Sequence, residues 1–385
     1  MLIKNGKIYT MAGMIYENGS LLIENGKIKQ IGENVEAPCG VEVIDAEGGW
    51  ILPGFVDAHS HLGTHEANMG FEGNDTNEAT EPITPQLRAI DGINPQDAAF
   101  KEAARGGITT TIVSPGSANV VGGQCAAIKT YGRNVDEMVI REPLAIKIAF
   151  GENPKRVYKE MEKMPSTRMA IAALLRQTFY DAQNYQGQKA KAVKDGKPFA
   201  IDLKLEALLP VLEGKLPLKA HAHRADDILT AIRIAKEFNL PLILNHCTEG
   251  HLIADYIRES GFPAIVGPTM SANSKIELSN KSFITAAKLI RAGVKVAITT
   301  DHPVVQIQYL PLCAGLAVRE GLGLEDALRA ITINAAQIIG VADRVGSLEV
   351  GKDADIAIFD GNPLQTLTQT LFTIIGGEVV YQRRV

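Results

Sequence analysis

Two histidines two residues apart, His59 and His61, close the run GFVDAHSH at 54–61. On a strand, residues i and i+2 project to one side, so both imidazoles face the same way. A pair so placed can chelate one divalent ion. Other apolar runs also end on polar residues: PLKAHAH on His221 and His223, PLILNHCT near His246, and KVAITTDHP near Asp301 and His302. A lone H-x-H is weak evidence of a metal site, and one strand-end histidine is more often a hydrogen-bonded core residue. Asp301 alone reads equally as a helix cap. Several such ends in one chain favour metal-assisted chemistry, with Asp301 as ligand and general base.

Lys147 lies in PLAIKIAFGE at 143–152. Strand alternation puts Leu144, Ile146, Ile148 and Phe150 on one face, and Ala145, Lys147, Ala149 and Gly151 on the other. A lysine with small neighbours on an inward face is costly to bury unpaired. Reaction of its amine with CO2 gives a carbamate, an anion able to bridge two metals. Glu152, at the end of the same run, is the rival bridge because its carboxylate needs no modification. Facing and spacing favour Lys147.

These residues need a scaffold that gathers strand ends. Eight apolar runs alternate with helical patterns: 54–61, 107–116, 124–132, 143–152, 217–223, 241–248, 262–268 and 295–303. Repeated strand–helix units predict a parallel sheet, and eight of them predict an α/β fold closed as a (β/α)8 TIM-like barrel. Barrel enzymes build their sites at the C-terminal strand ends, where these polar residues fall. Residues 154–213 form a mostly helical excursion, and 63–95 a long polar loop that serves the site. Both chain ends read as short strands, with Asn-Gly at 5–6, 18–19 and 25–26 marking tight turns and Gly-Gly bending the last hairpin. They predict one small composite β-sandwich. The expected division is 1–52 and 341–385 for the β-sandwich domain, and 53–340 for the barrel.

The 385 residues carry 39 Lys+Arg against 44 Asp+Glu, a net charge of −5. No basic cluster is present, which argues against nucleic acid as a partner. No apolar stretch reaches the length of a membrane helix, so no membrane partner is expected. The N-terminus lacks a signal-peptide core, so a cytoplasmic location is expected. Four scattered cysteines show neither zinc-finger spacing nor a disulfide framework. The expected partner is a small-molecule substrate, with self-association left open.

PGFVDAHSH, the strand-rich N-terminus and GSLEVGKDADIAIFD together resemble the amidohydrolase superfamily over essentially the whole chain. More narrowly the chain is similar to imidazolonepropionase-related amidohydrolases. SPGSANVVGGQ, GENPKRVY and STRMAIAALLR look like features of a subgroup. The resemblance implies that His59, His61 and Asp301 bind one ion and His221 and His246 a second. It implies Lys147 or Glu152 as the bridge. Two divalent ions are expected, zinc foremost, with a one-ion site as the variant. The implied reaction is hydrolysis of an amide carbon–nitrogen bond by a hydroxide held between the ions. Asp301 would shuttle the proton, and His223 would bind the oxyanion or orient a ligand.

Related deaminases usually carry Glu three residues after the fifth-strand His; here Arg224 stands there, which favours amide hydrolysis. A catalytically inactive relative is the other alternative, and completeness of the ligand set argues against it. Arg168, Arg176 and Arg224 are candidate binders of a substrate carboxylate, as in a dipeptide, an N-acyl amino acid or an imidazolone acid. Each also reads as an ordinary salt bridge. Asn74, Asp75, Asn77 and Glu78 are placed to reach the pocket from the long loop. SPGSANVVGGQ is glycine-rich but lacks the Lys-Ser/Thr of a phosphate loop, so Gly122 and Gly123 read as turn formers.

Overall fold

Alternating apolar residues at both chain ends fold into one eight-stranded sheet. Its strands are β1 (Leu2–Tyr9), β2 (Ile15–Glu24), β3 (Lys27–Gly32), β4 (Val43–Asp45) and β5 (Trp50–Pro53), then β14 (Ile356–Phe359), β15 (Thr370–Ile375) and β16 (Glu378–Gln382). The order is β16-β15-β14-β5-β1-β2-β3, with β4 beside β1. The computed structural model describes residues 1–36 and 38–384. Apolar residues from both ends, including Ile3, Ile8, Leu21, Ile51, Ile356, Ile358 and Ile374, share one buried cluster. The two ends therefore make a joint element, because neither buries its apolar face alone.

Only one of the three Asn-Gly pairs forms the turn expected of it. Asn25 and Gly26 both have positive φ, 50° and 74°, and link β2 to β3. The pairs at 5–6 and 18–19 lie inside β1 and β2, where Gly6 faces Gly19 across the ladder. Their role is close packing. A Cβ on Gly6 would lie 2.4 Å from Ile51 Cδ1, and one on Gly19 2.5 Å from Ile8 Cδ1.

The middle of the chain forms a nearly closed eight-stranded barrel. It comprises β6 (Phe55–Ser60), β7 (Ile108–Val113), β8 (Val121–Lys129), β9 (Val139–Ala149), β10 (Leu218–Ala222), β11 (Leu242–His246), β12 (Ala264–Val266) and β13 (Val296–Ile298). All eight expected runs are strands, but the uniform strand–helix repeat is corrected at the third. β8 runs antiparallel to both β7 and β9. Residues 114–120 are too few for a crossover, which needs a dozen or more, so the chain turns straight back. That return sets the segment Ser114–Ser117 at the strand ends that carry the histidines.

The seam between β13 and β6 is closed largely by side chains. The buried Asp57 carboxylate accepts hydrogen bonds from the Thr299 and Thr300 hydroxyls and from the Thr300 amide. His61 N adds a bond to His302 O at 2.8 Å. Lower in the barrel, Val56, Ile112, Ala145, Ile243, Ile265 and Ala297 pack with residues of the helix Ile333–Ile338. This apolar floor leaves the other ends of the strands for polar side chains. As expected, 154–213 is mainly helical, with helices Glu152–Glu160 and Arg168–Lys194. The loop 63–95 lies against β8 through the bridges Ile83–Val121 and Arg88–Gln124. No helix among the described residues is long and apolar enough to cross a membrane.

Candidate metal centre

Alternation along β10 sets Ala220 and Ala222 in the outer core and turns Lys219, His221 and His223 the other way. β11 needs a different device. Leu242 and Leu244 pack outward, so His246 would follow them, but its φ is 77°. That left-handed backbone re-aims the ring, and Asp301 at φ 55° is re-aimed likewise. In β6 the register against β7 shifts between Asp57 and Ser60, just where His59 stands. The result is a buried group with His59 and His246 rings 5.2 Å apart and His221 and His246 rings 4.4 Å apart.

Five imidazoles at these strand ends have Nδ1 tied to the protein. His61 Nδ1 meets Ser114 O at 2.7 Å, and His246 Nδ1 meets Gly267 O at 2.7 Å. His221 Nδ1 meets Ser117 Oγ at 2.9 Å, and His223 Nδ1 meets Thr248 Oγ1 at 2.6 Å. His59 Nδ1 lies 2.7 Å from Lys219 Nζ and 3.2 Å from Ser114 Oγ. Fixing one ring nitrogen orients the other, which is how proteins present imidazole to a metal.

The Nε2 atoms of His59 and His61 point at Asp301, while His246 Nε2 also lies 2.9 Å from Asn245 Nδ2. His59 Nε2 is 3.1 Å and His61 Nε2 3.4 Å from Asp301 Oδ1. Yet His59 Nε2 and Asp301 Oδ1 are both buried without a hydrogen-bond partner. Two lone-pair atoms so close and unbonded suit donors that share an ion. Ligands of a tetrahedral zinc with bonds of 2.0–2.1 Å stand about 3.3 Å apart. Two groups of donor atoms meet the spacing for a shared cation: His59, His246 and Asp301, and His221, His223 and His246. The donor chemistry and orphaned atoms therefore fit divalent ions.

Electrostatics agree. Burial holds His59, His221 and His246 well below the ordinary imidazole range, and His223 at about 4. These rings are neutral at physiological pH, the form that ligates. For Asp301 burial pushes upward, but the close approach of His61 and His246 and the Lys147 charge hold it well below the usual carboxylate range. Burial lowers Lys147 to about 8.

Lys147 is fully buried, with Nζ 3.2 Å from Pro115 O and 3.1 Å from Ser117 Oγ, the hydroxyl that also holds His221. Its charge acts on His59, His221 and Asp301, members of both donor groups. Glu152 heads the helix Glu152–Glu160 and is half-buried; it meets the site through its amide, which donates to Glu277 Oε2 at 2.9 Å. The three arginines are each in a forked ion pair: Arg168 with Asp227, Arg176 with Glu237, Arg224 with Asp226. Arg168 and Arg224 meet the start of the helix Ala225–Glu237, next to His223. Arg176 is bound at that helix's far end, about 18 Å along it, away from the histidines. Asn74, Asp75, Asn77 and Glu78 line a cavity of about 560 Å³ with Ser114, Pro115 and Gly122. Gly123, at φ 126°, lets the loop pass: a Cβ there would lie 2.5 Å from Leu87 O.

Sequence reasoning missed Lys219, Ser114, Ser117 and Glu277. Lys219 shares the parity of His221, so alternation could have found it. The serines follow the end of β7, but only the antiparallel return brings them to the site. Glu277 is fully buried in the segment after β12, and no spacing announces it.

Residues 50–380 match the amidohydrolase family. The chain belongs to the amidohydrolase family. A solved amidohydrolase from Thermotoga maritima is 43% identical, with a TM-score of 0.96 over 99% of this chain and 100% of that one. The amidohydrolase tasK of Hapsidospora irregularis is 31% identical over 90% of this chain, which spans 38% of that relative's length. An imidazolonepropionase of Thermoplasma acidophilum is 26% identical over 96% of this chain and 90% of its own. As an amidohydrolase, the chain has the barrel its sequence predicts, and metal dependence is a property of its family.

Proposed function

We propose that this amidohydrolase cleaves an amide carbon–nitrogen bond in a small-molecule substrate, linear or cyclic, with the help of two divalent ions. The carrying observation is the pair of adjoining donor groups, His59, His246 and Asp301 beside His221, His223 and His246, with each ring fixed from behind at Nδ1. His59, His61 and Asp301 would hold one ion, His221 and His246 the second, and carboxylated Lys147 would be the ligand common to both. When bound, such ions, zinc foremost, supply a nucleophile from water at neutral pH and polarise the carbonyl.

The chain's own residues do the rest. Lys147, with its pKa lowered to about 8, has a substantial neutral fraction that adds to CO2, releasing one proton and leaving an anionic carbamate. Asp301, anionic at working pH, takes the proton of the attacking water and returns it to the leaving nitrogen. The Thr248 hydroxyl donates to His223 Nδ1, leaving Nε2–H to meet negative charge on the substrate oxygen. Arg168, paired with Asp227 at the start of the helix next to His223, is the arginine we assign to a substrate carboxylate. The domain division at 52/53 and 340/341 is part of the same reading, since β5 and β14 pair on the terminal sheet.

A hydrolysis screen over dipeptides, N-acyl amino acids and cyclic imides or imidazolones tests the reading. At least one class should be cleaved, with turnover abolished by chelation and restored by zinc. Cleavage that survives complete metal removal would overturn it.

A further inference from the structure

Glu277 belongs to the short helical turn Ile276–Leu278, in the segment between β12 and the helix Ile284–Arg291. Its carboxylate is turned into the barrel mouth, with 1% of the side chain exposed. One oxygen, Oε2, is fixed by the Glu152 amide at 2.9 Å. The other, Oε1, lies 3.7 Å from His221 Nε2 and 3.8 Å from His223 Nε2, both rings being buried. Neither contact is short enough to be a hydrogen bond. The charged group at hand is Lys275, whose Nζ is 3.2 Å from Oε1 and whose side chain is 23% exposed.

Glu277 Oε1 and His221 Nε2, 3.7 Å apart, are spaced as ligands that share one cation, with His223 beside them. Direct hydrogen bonds would bring them to about 2.8 Å, whereas ligands of a single tetrahedral ion stand about 3.3 Å apart, so the observed contacts are too long for hydrogen bonds and leave room for an ion between the groups. We propose that Glu277 is a carboxylate ligand of the second ion, the one assigned above to His221 and His246. The inference rests on the binuclear reading and adds an anionic protein ligand from outside the barrel strands. In the metal-free protein Lys275 compensates the carboxylate. With an ion bound there, the Lys275 ammonium, already partly exposed, would turn to water.

The test is competitive chelator titration of zinc on the full chain, with the absorption spectrum of the cobalt-substituted protein as a second readout. Wild type should take two ions. Glu277→Gln, which keeps the shape and can still accept from the Glu152 amide, should bind the second ion at least about tenfold more weakly. It should also show an altered cobalt spectrum, which a merely distant effect would not produce. Lys275→Met removes the competing cation and should hold the second ion as tightly as wild type or more so. Wild-type affinity and spectrum in Glu277→Gln would overturn the proposal. So would equal loss of the ion in Lys275→Met, because the pair would then be structural. Should Glu277→Gln fail to fold, Glu277→Asp and Lys275→Met carry the test: unchanged spectra in both overturn it. A wild type that takes one ion refutes the binuclear reading. In that case loss of this ion in Glu277→Gln still supports Glu277 as a ligand, and its retention refutes both.

Discussion

Lys219 Nζ lies 2.7 Å from His59 Nδ1, with both side chains fully out of solvent. The same amine donates to Ala58 O at 2.8 Å and lies 3.2 Å from Ser114 Oγ. Burial lowers its pKa to about 7. A neutral amine there accepts from Nδ1–H and leaves the Nε2 lone pair for an ion. Lys219→Met should therefore weaken retention of the ion at His59 by about 10–100-fold, the usual cost of removing a partner behind a ligand. Zinc affinity measured against a chelator series checks this. An unchanged affinity removes Lys219 from the account.

Lys147 and Glu152 make opposite predictions as bridges. Lys147→Ala should lose most activity and bind the ion pair poorly, and a small carboxylic acid added to the buffer should restore part of the rate by occupying the carbamate's place. Glu152→Ala should keep wild-type metal content. If Glu152→Ala alone loses an ion, the bridge is Glu152.

The terminal sheet is pinned to the barrel by Lys129 at the end of β8. Its ammonium contacts Asp355 and lies 2.8 Å from Asp353 Oδ2, while Arg344 and Lys27 also reach Asp353. Lys129→Met leaves two buried carboxylates short of a cation and should cost about 3–5 kcal/mol in denaturant unfolding. Cysteine-free buffers and neutral pH suffice for that comparison.

Acid should act on the same cluster. For Asp353, burial pushes upward but the Lys129, Lys27 and Arg344 charges win and hold it at about 2. A carboxyl whose folded pKa is depressed contributes stability above its unfolded value, near 3.8, and loses it as pH falls towards about 2. Asp355 works the other way, since burial raises it. Asp353→Asn should be less stable than wild type at neutral pH and should show a shallower loss between those two values. Parallel stability curves for the two proteins would contradict the assignment.

Gly6→Ala and Gly19→Ala should each destabilise by about 1–3 kcal/mol through overpacking. Ile51→Val beside Gly6→Ala should recover part of the loss, because the clash is with Ile51 Cδ1 at 2.4 Å. Additive effects in the double variant would show that this contact is not the cause.

Much of this site was legible because strand alternation is a local rule. It aims His221 and His223 inward and predicts a buried Lys147. The eight runs likewise follow from local apolar patterning. What stayed hidden depends on chain direction and on distant contacts. The antiparallel β8 is decided by the brevity of 114–120, and with it come the Ser114 and Ser117 supports. The inward turn of His246 needs a positive φ that no pattern signals. Glu277 reaches the histidines from a segment whose path is set by tertiary packing. Arg176 was a plausible carboxylate binder by residue type, but its helix carries it to Glu237.

The central claim is that these side chains share two cations. Anomalous diffraction from crystals of zinc-loaded protein at the zinc edge tests it most directly. Two peaks are predicted. One should lie about 2.0–2.2 Å from His59 Nε2, His61 Nε2 and an Asp301 oxygen, and the other at the same range from His221 Nε2 and His246 Nε2. Zinc-loaded crystals with no anomalous peak among these residues would contradict the account.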